Sequence, residues 1–83
     1  MNKFKYDLAV IGLGYVGLPL AIEAANSELK VVGYDVNDSV INNLKQSISH
    51  VEDISDDVLA DSLKKDLKFT DKSDVLGESE YIV

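Results

Sequence analysis

At 83 residues the chain lies below the usual domain size of about 100–150 residues and buries only about 60% of its unfolded surface, so it holds one small core at most. A hydrophobic content of 46% is too high for a disordered tail, and 15 acidic against 8 basic side chains, net −7, disfavour a nucleic-acid partner. No cysteine is present, which excludes disulfides, Cys-ligated metal and thiol catalysis within the chain. The apolar run behind Lys3 and Lys5 is interrupted by glycines and too short to span a bilayer, and no targeting segment precedes it. A cytoplasmic protein with no membrane partner is therefore expected.

Tyr6–Ile11 is a short, nearly continuous apolar run ending at glycine, the pattern of a strand buried on both faces of a parallel sheet. A glycine-rich turn, residues 12–17, follows. The stretch 15–27 reads as a helix, with Val16, Leu20 and Ala24 on one stripe, Ala21, Ile22 and Ala25 beside it, and Pro19 in or near the first turn. Residues 30–35 form a second buried strand ending on Asp35. Asn37 or Asp38 then caps a helix whose apolar positions are Val40, Ile41, Leu44 and Ile48. Beyond a polar loop, Ser55 opens a third helix, with Asp56 and Asp57 in its first turn, Lys64 and Lys65 in its last, and Val58, Leu59, Ser62 and Leu63 on its buried side. Leu67–Thr70 suits a third strand near a sheet edge, residues 73–77 one helical turn, and residues 80–83 a fourth strand. A chain that stops within an apolar strand is expected to be part of a longer protein. The alternation of strand and helix implies a parallel sheet joined by right-handed crossovers.

Gly12-Leu13-Gly14-Tyr15-Val16-Gly17 matches G-x-G-x-x-G between a predicted strand and a predicted helix. At an average glycine frequency the pattern would arise by chance about 0.03 times in a chain of this length. Gly12 permits the tight turn, Gly14 lets a pyrophosphate approach the backbone, and Gly17 lets helix and strand pack closely, while the helix N-terminus offers free N–H groups to the diphosphate. Asp35, at the end of the second strand, is placed to accept the adenosine ribose hydroxyls and would repel a 2′-phosphate. With no Lys or Arg among Val36, Asn37, Asp38 and Ser39, NAD is favoured over NADP. A plain structural turn, a flavin or an S-adenosylmethionine site, and Asp35 as a helix cap are the other readings of the same residues. The single histidine, His50, reads as a solvated or hydrogen-bonding loop residue, since no nucleophile or base can be placed beside it. Glu52, Asp53, Asp56 and Asp57 read as a solvated acidic face without calcium-loop spacing, so no metal site is expected. The fold class is α/β: a partial Rossmann fold with a parallel sheet of three to four strands and crossover helices.

The longer run from Val10 to Ala21, with Gly17-Leu18-Pro19-Leu20-Ala21 after the glycine motif, resembles the opening of the nucleotide-sugar 6-dehydrogenases, the UDP-glucose/GDP-mannose dehydrogenase family. It is most similar to the members acting on UDP-N-acetylglucosamine and UDP-N-acetylmannosamine. Residues 32–37, 67–70 and 80–83 resemble the family's second, third and fourth strands. The resemblance implies that residues 1–83 are the N-terminal part of an NAD-binding domain, with Gly12, Gly14, Tyr15, Val16 and Gly17 around the pyrophosphate and Asp35 on the ribose. The whole enzyme would oxidise the C6 hydroxyl of a UDP-amino-sugar to a carboxylate for capsule or other surface polysaccharide synthesis, reducing two NAD per sugar and working as a homo-oligomer. The family's catalytic cysteine, lysine and asparagine and its sugar domain are not in this chain, so the chain alone is expected to be inactive; the crevice at the switch between the first and fourth strands lacks the end of the fourth strand and its loop, so NAD is expected to bind in the millimolar range or worse, roughly −4 kcal/mol. Family members often carry Lys or Arg where this chain has Ser39 or Val40, so adenosine contacts would be weaker or come from other residues. Another NAD-dependent dehydrogenase of the 3-hydroxyacid or 6-phosphogluconate type, and a stand-alone nucleotide-binding module, are the alternatives.

Overall fold

The structure, a computed structural model, describes residues 4–83. Four parallel strands, β1 (Tyr6–Ile11), β2 (Val31–Tyr34), β3 (Leu67–Thr70) and β4 (Ser79–Ile82), form one sheet in the order β3-β2-β1-β4. Helices α1 (Gly17–Asn26), α2 (Asp38–Lys45), α3 (Asp56–Ser62) and the single turn α4 (Asp74–Gly77) lie between them in sequence. The order reverses at β1: the chain runs outward through β2 to β3, then returns to the other side of β1 as β4. In an open parallel sheet that switch point opens a crevice at the carboxyl ends of the strands.

Both faces of the central strands β1 and β2 are covered over most of their length, as their apolar runs require, while β4 is exposed beyond Ser79. On one face Val10, Val31, Leu67 and Phe69 meet Leu18, Ala21, Ile22 and Ala25 of α1, Ile41 and Leu44 of α2, and Leu59 of α3. On the other, Ala9 and Val32 pack with Val75 of α4.

All four strands and all four helices stand close to their predicted places, and β3 is an edge strand as expected. Four details differ. The apolar stripe of α1 is not Val16–Leu20–Ala24. Val16 and Leu20 are exposed, and the buried set is Leu18, Ala21, Ile22, Ala24 and Ala25. A strict fourfold row drifts about 40° around a helix at each step, whereas the i, i+3, i+4, i+7 set Leu18, Ala21, Ile22 and Ala25 keeps one side. Helix α1 also begins two residues later than expected, because Tyr15 and Val16 belong to the turn. Ile48 lies outside α2: Ser47 takes a left-handed φ of 63° and swings the chain away. Helix α3 ends at Ser62, so Lys64 and Lys65 fall beyond its last turn, and Val58 points to solvent.

Candidate dinucleotide site

The turn from β1 into α1 carries most of the geometry. Gly12 has φ +85°, a backbone region that L side chains rarely adopt, and its N–H donates to the Tyr34 carbonyl at 2.9 Å, tying the end of β1 to β2. A Cβ on Gly17 would run into the Gly12 carbonyl oxygen, so only glycine lets the first turn of α1 sit this close to the end of the strand. A Cβ on Gly14 would meet no atom within 4 Å. What lies beside Gly14 is open space, the room that an approaching ligand needs.

That space is an open crevice of about 390 Å³, lined by Val10, Ile11, Gly12, Gly14, Val16, Gly17, Leu20 and Val83. It lies between β1 and β4, where Ile11 N–H donates to the Val83 carbonyl at 2.9 Å. The exposure of Val16 and Leu20 is thereby explained: they are wall, not core.

The opening of α1 faces the same crevice without a cap. Val16 stands at the cap position with helical backbone angles and makes no side-chain bond to the helix, and no acidic residue lies in the first turn. Within that first turn Leu18 N–H donates to the Gly14 carbonyl at 3.1 Å and Pro19 has no N–H, so an anion would meet the Gly17 N–H, the turn before it and the partial positive charge of the helix end.

Asp35 lies just past β2 and bonds the backbone through both oxygens. Leu13 N–H donates to Oδ2 at 3.0 Å and Asn37 N–H to Oδ1 at 3.0 Å. The Leu13 bond does most to hold the carboxyl below the ordinary carboxylate range, followed by the Asn37 bond. Partial burial opposes them, and the neighbouring His50 ring and the Val36 N–H add smaller favourable contributions. A carboxylate has about four lone-pair sites, so two N–H bonds leave acceptor capacity for hydroxyl groups. Uncapped helix, open floor at Gly14 and an ionised carboxylate at the neighbouring strand end together fit a dinucleotide: anion at the helix, diol at the acid. NAD, where it binds, supplies a hydride acceptor.

The sequence-predicted residues are thus brought together. Gly12, Gly14 and Gly17 form the turn, Tyr15 and Val16 are exposed at its rim, and Asp35 anchors its far side. Three participants were not identified from sequence. Leu13 is fully buried. Gly33 makes room for it, since a Cβ there would lie 2.8 Å from a Leu13 methyl and 2.9 Å from the Phe69 ring. His50, read as a loop residue, places Nε2 on the Leu13 carbonyl. The motif's x positions and the spacing of a distant loop gave no signal for these three. A glycine inside the second strand was the one hint, because such a glycine marks close approach of another group.

Known proteins share this sequence pattern and fold. The sequence signature of the UDP-glucose/GDP-mannose dehydrogenase family, NAD binding domain, matches residues 6–83. The chain is 42% identical over 80 residues to a UDP-N-acetyl-D-mannosamine dehydrogenase of Pyrococcus horikoshii, covering 92% of this chain and 19% of that protein. It is 38% identical over 79 residues to a UDP-N-acetyl-D-glucosamine 6-dehydrogenase of Salmonella typhi, covering 95% of this chain and 18% of that one. The solved UDP-D-ManNAc dehydrogenase from Pyrococcus horikoshii superposes with a TM-score of 0.80 at 40% identity, over 93% of this chain and 19% of that one. The chain thus spans less than a fifth of the length of the curated relatives it matches. With the signature across residues 6–83 and the crevice of a dinucleotide fold at the reversal of its sheet, this chain belongs to the UDP-glucose/GDP-mannose dehydrogenase family, as an NAD binding domain.

Proposed function

We propose that residues 1–83 are the N-terminal part of the NAD-binding domain of a UDP-N-acetylhexosamine 6-dehydrogenase, a cytoplasmic homo-oligomer that oxidises the sugar C6 hydroxyl to a carboxylate for surface polysaccharide synthesis. The names of the relatives support the substrate class. Among the described residues no helix is long and apolar enough to cross a membrane. The observation that carries the reading is the uncapped α1 beside the open face of Gly14, with the Asp35 carboxylate at the next strand end. In this reading N–H groups of residues 14–17 receive the pyrophosphate, since those of Gly12 and Leu13 are bonded within the fold, Gly12, Gly14, Tyr15, Val16 and Gly17 surround it, and Asp35 takes the adenosine ribose hydroxyls. A 2′-phosphate would meet the Asp35 charge, so the cofactor is NAD and not NADP. The sugar site lies outside this chain, and the chain alone turns over no sugar.

The test has two arms. Titration of the chain with NAD, followed by amide NMR, should shift residues 12–17 and Asp35, while NADP should not. No shift with NAD at several millimolar, or equal shifts with NADP, would count against the site. The enzyme containing this chain should form NADH with UDP-N-acetylmannosamine or UDP-N-acetylglucosamine. NADH formation with neither sugar would sink the substrate class.

A further inference from the structure

His50 is the one histidine of the chain and belongs to the loop between α2 and α3, far in sequence from the glycine turn. Its place is nevertheless fixed on both sides. Ser49 N–H donates to Asp56 Oδ1 at 2.8 Å, the Ser49 hydroxyl closes a small turn onto Val51 at 3.0 Å, and the Val51 side chain is buried in the core. The imidazole so held meets the Leu13 carbonyl oxygen through Nε2. A carbonyl only accepts, so Nε2 carries the hydrogen.

The Leu13 carbonyl and the Gly14 N–H belong to one planar trans peptide unit and point in opposite directions. Whatever grips the carbonyl therefore aims the N–H. The unit turns about the Leu13 ψ and the Gly14 φ, and glycine leaves the second of these unusually free. Three contacts hold Leu13 against that freedom: its N–H on Asp35, its side chain in the notch at Gly33, and its carbonyl on His50. Only the third acts directly on the peptide that carries the Gly14 N–H, and Gly14 lines the crevice.

We infer that His50 is a positioning residue of the dinucleotide site: by holding the Leu13 carbonyl it orients the Gly14 N–H toward the crevice, where a diphosphate oxygen would accept it. The inference rests on the reading of that crevice as the NAD site. It gives a task to one member of the acidic group as well, since Asp56 anchors the loop that carries the imidazole.

Two variants test it, H50L and H50Q. Leucine fills the space without a donor, while the glutamine amide offers an N–H at a reach comparable to Nε2. The full chain is compared in two measurements: amide hydrogen exchange at Leu13 and Gly14 without ligand, and NAD affinity by titration. H50L should speed exchange at both amides and weaken NAD by about two- to tenfold, the factor carried by one lost neutral hydrogen bond, and H50Q should restore both. The thermal midpoint should stay near that of the parent, because the ring is exposed. An H50L chain with parental exchange and parental affinity would overturn the inference, as would an H50Q chain as impaired as H50L. If the parent itself fails to bind NAD, the functional reading falls, and the ligand-free exchange still decides whether His50 orders the turn.

Discussion

The three longer helices of this chain begin in two different ways. Helix α2 starts on Asn37, whose side chain accepts from Ser39 N–H at 3.0 Å and Val40 N–H at 3.3 Å, with Asp38 in the first turn. Helix α3 starts on Ser55, which accepts from Val58 N–H at 3.1 Å, with Asp56 and Asp57 beside it. Helix α1, the longest of the three, has neither a capping side chain nor an acid in its first turn. A cap contributes about 1 kcal/mol, so its omission at α1 leaves local stability unrealised. The difference separates helices whose ends are closed by their own side chains from a helix whose end stays uncapped beside the crevice.

The comparison can be broken most forcefully at Gly17. Gly17→Ala would force a methyl into the Gly12 carbonyl, and we expect a loss of about 3 kcal/mol in denaturant unfolding. A loss under about 0.5 kcal/mol would mean that α1 is not held against β1 as described. Next is Asp35→Asn, expected to cost about 2 kcal/mol through the weakened bonds from Leu13 and Asn37. The pH dependence carries a definite sign. The folded carboxyl has the lower pKa, so its contribution is present in full above the unfolded value of about 4 and fades as pH falls through the folded value. Acid unfolding of the parent should therefore include a component below about pH 4 that Asp35→Asn lacks, and identical acid profiles would contradict the anchoring role.

Asn37→Ala and Ser55→Ala should each cost about 1 kcal/mol and leave NAD affinity unchanged once unfolding is accounted for. A specific loss of NAD binding in either would blur the distinction between the two kinds of helix start. The smallest effect on stability is expected from Val16→Asp, which puts an acid at the cap position of α1, one residue ahead of the first turn in which α2 and α3 carry theirs. Val16 is 80% exposed, so unfolding should change by no more than about 0.5 kcal/mol, while NAD affinity falls about tenfold as the carboxylate faces the diphosphate. Retained affinity would show that the opening of α1 is not where the anion sits.

The sheet was legible because its signals are local. Tyr6–Ile11 and Leu67–Thr70 are bounded by turn residues, and Asn37 and Ser55 sit where caps belong. The site was legible in outline for a different reason: a G-x-G-x-x-G turn and a strand-end acid carry their mechanism in residue type alone. The missing parts were those fixed by tertiary distance. Nothing in the composition of residues 49–51 tells that His50 reaches a carbonyl 37 positions earlier. Val16 and Leu20 misled for a physical reason, since apolar residues at helical spacing look the same whether they face a core or a binding wall.

The central strand also sets an order of assembly. Leu8 pairs with Val31, closing a loop of roughly 20 residues, whereas Tyr6 pairs with Ser79 across roughly 70, which costs about 1 kcal/mol more in closure entropy. The β1–β2 side can form while the rest of the chain is still unstructured. The longer closure predicts that the β1–β4 side, and with it one wall of the crevice, forms after the β1–β2 side. A ligand seated there would bridge the early and late halves of the sheet, so NAD should protect β4 amides from hydrogen exchange well beyond the residues it touches.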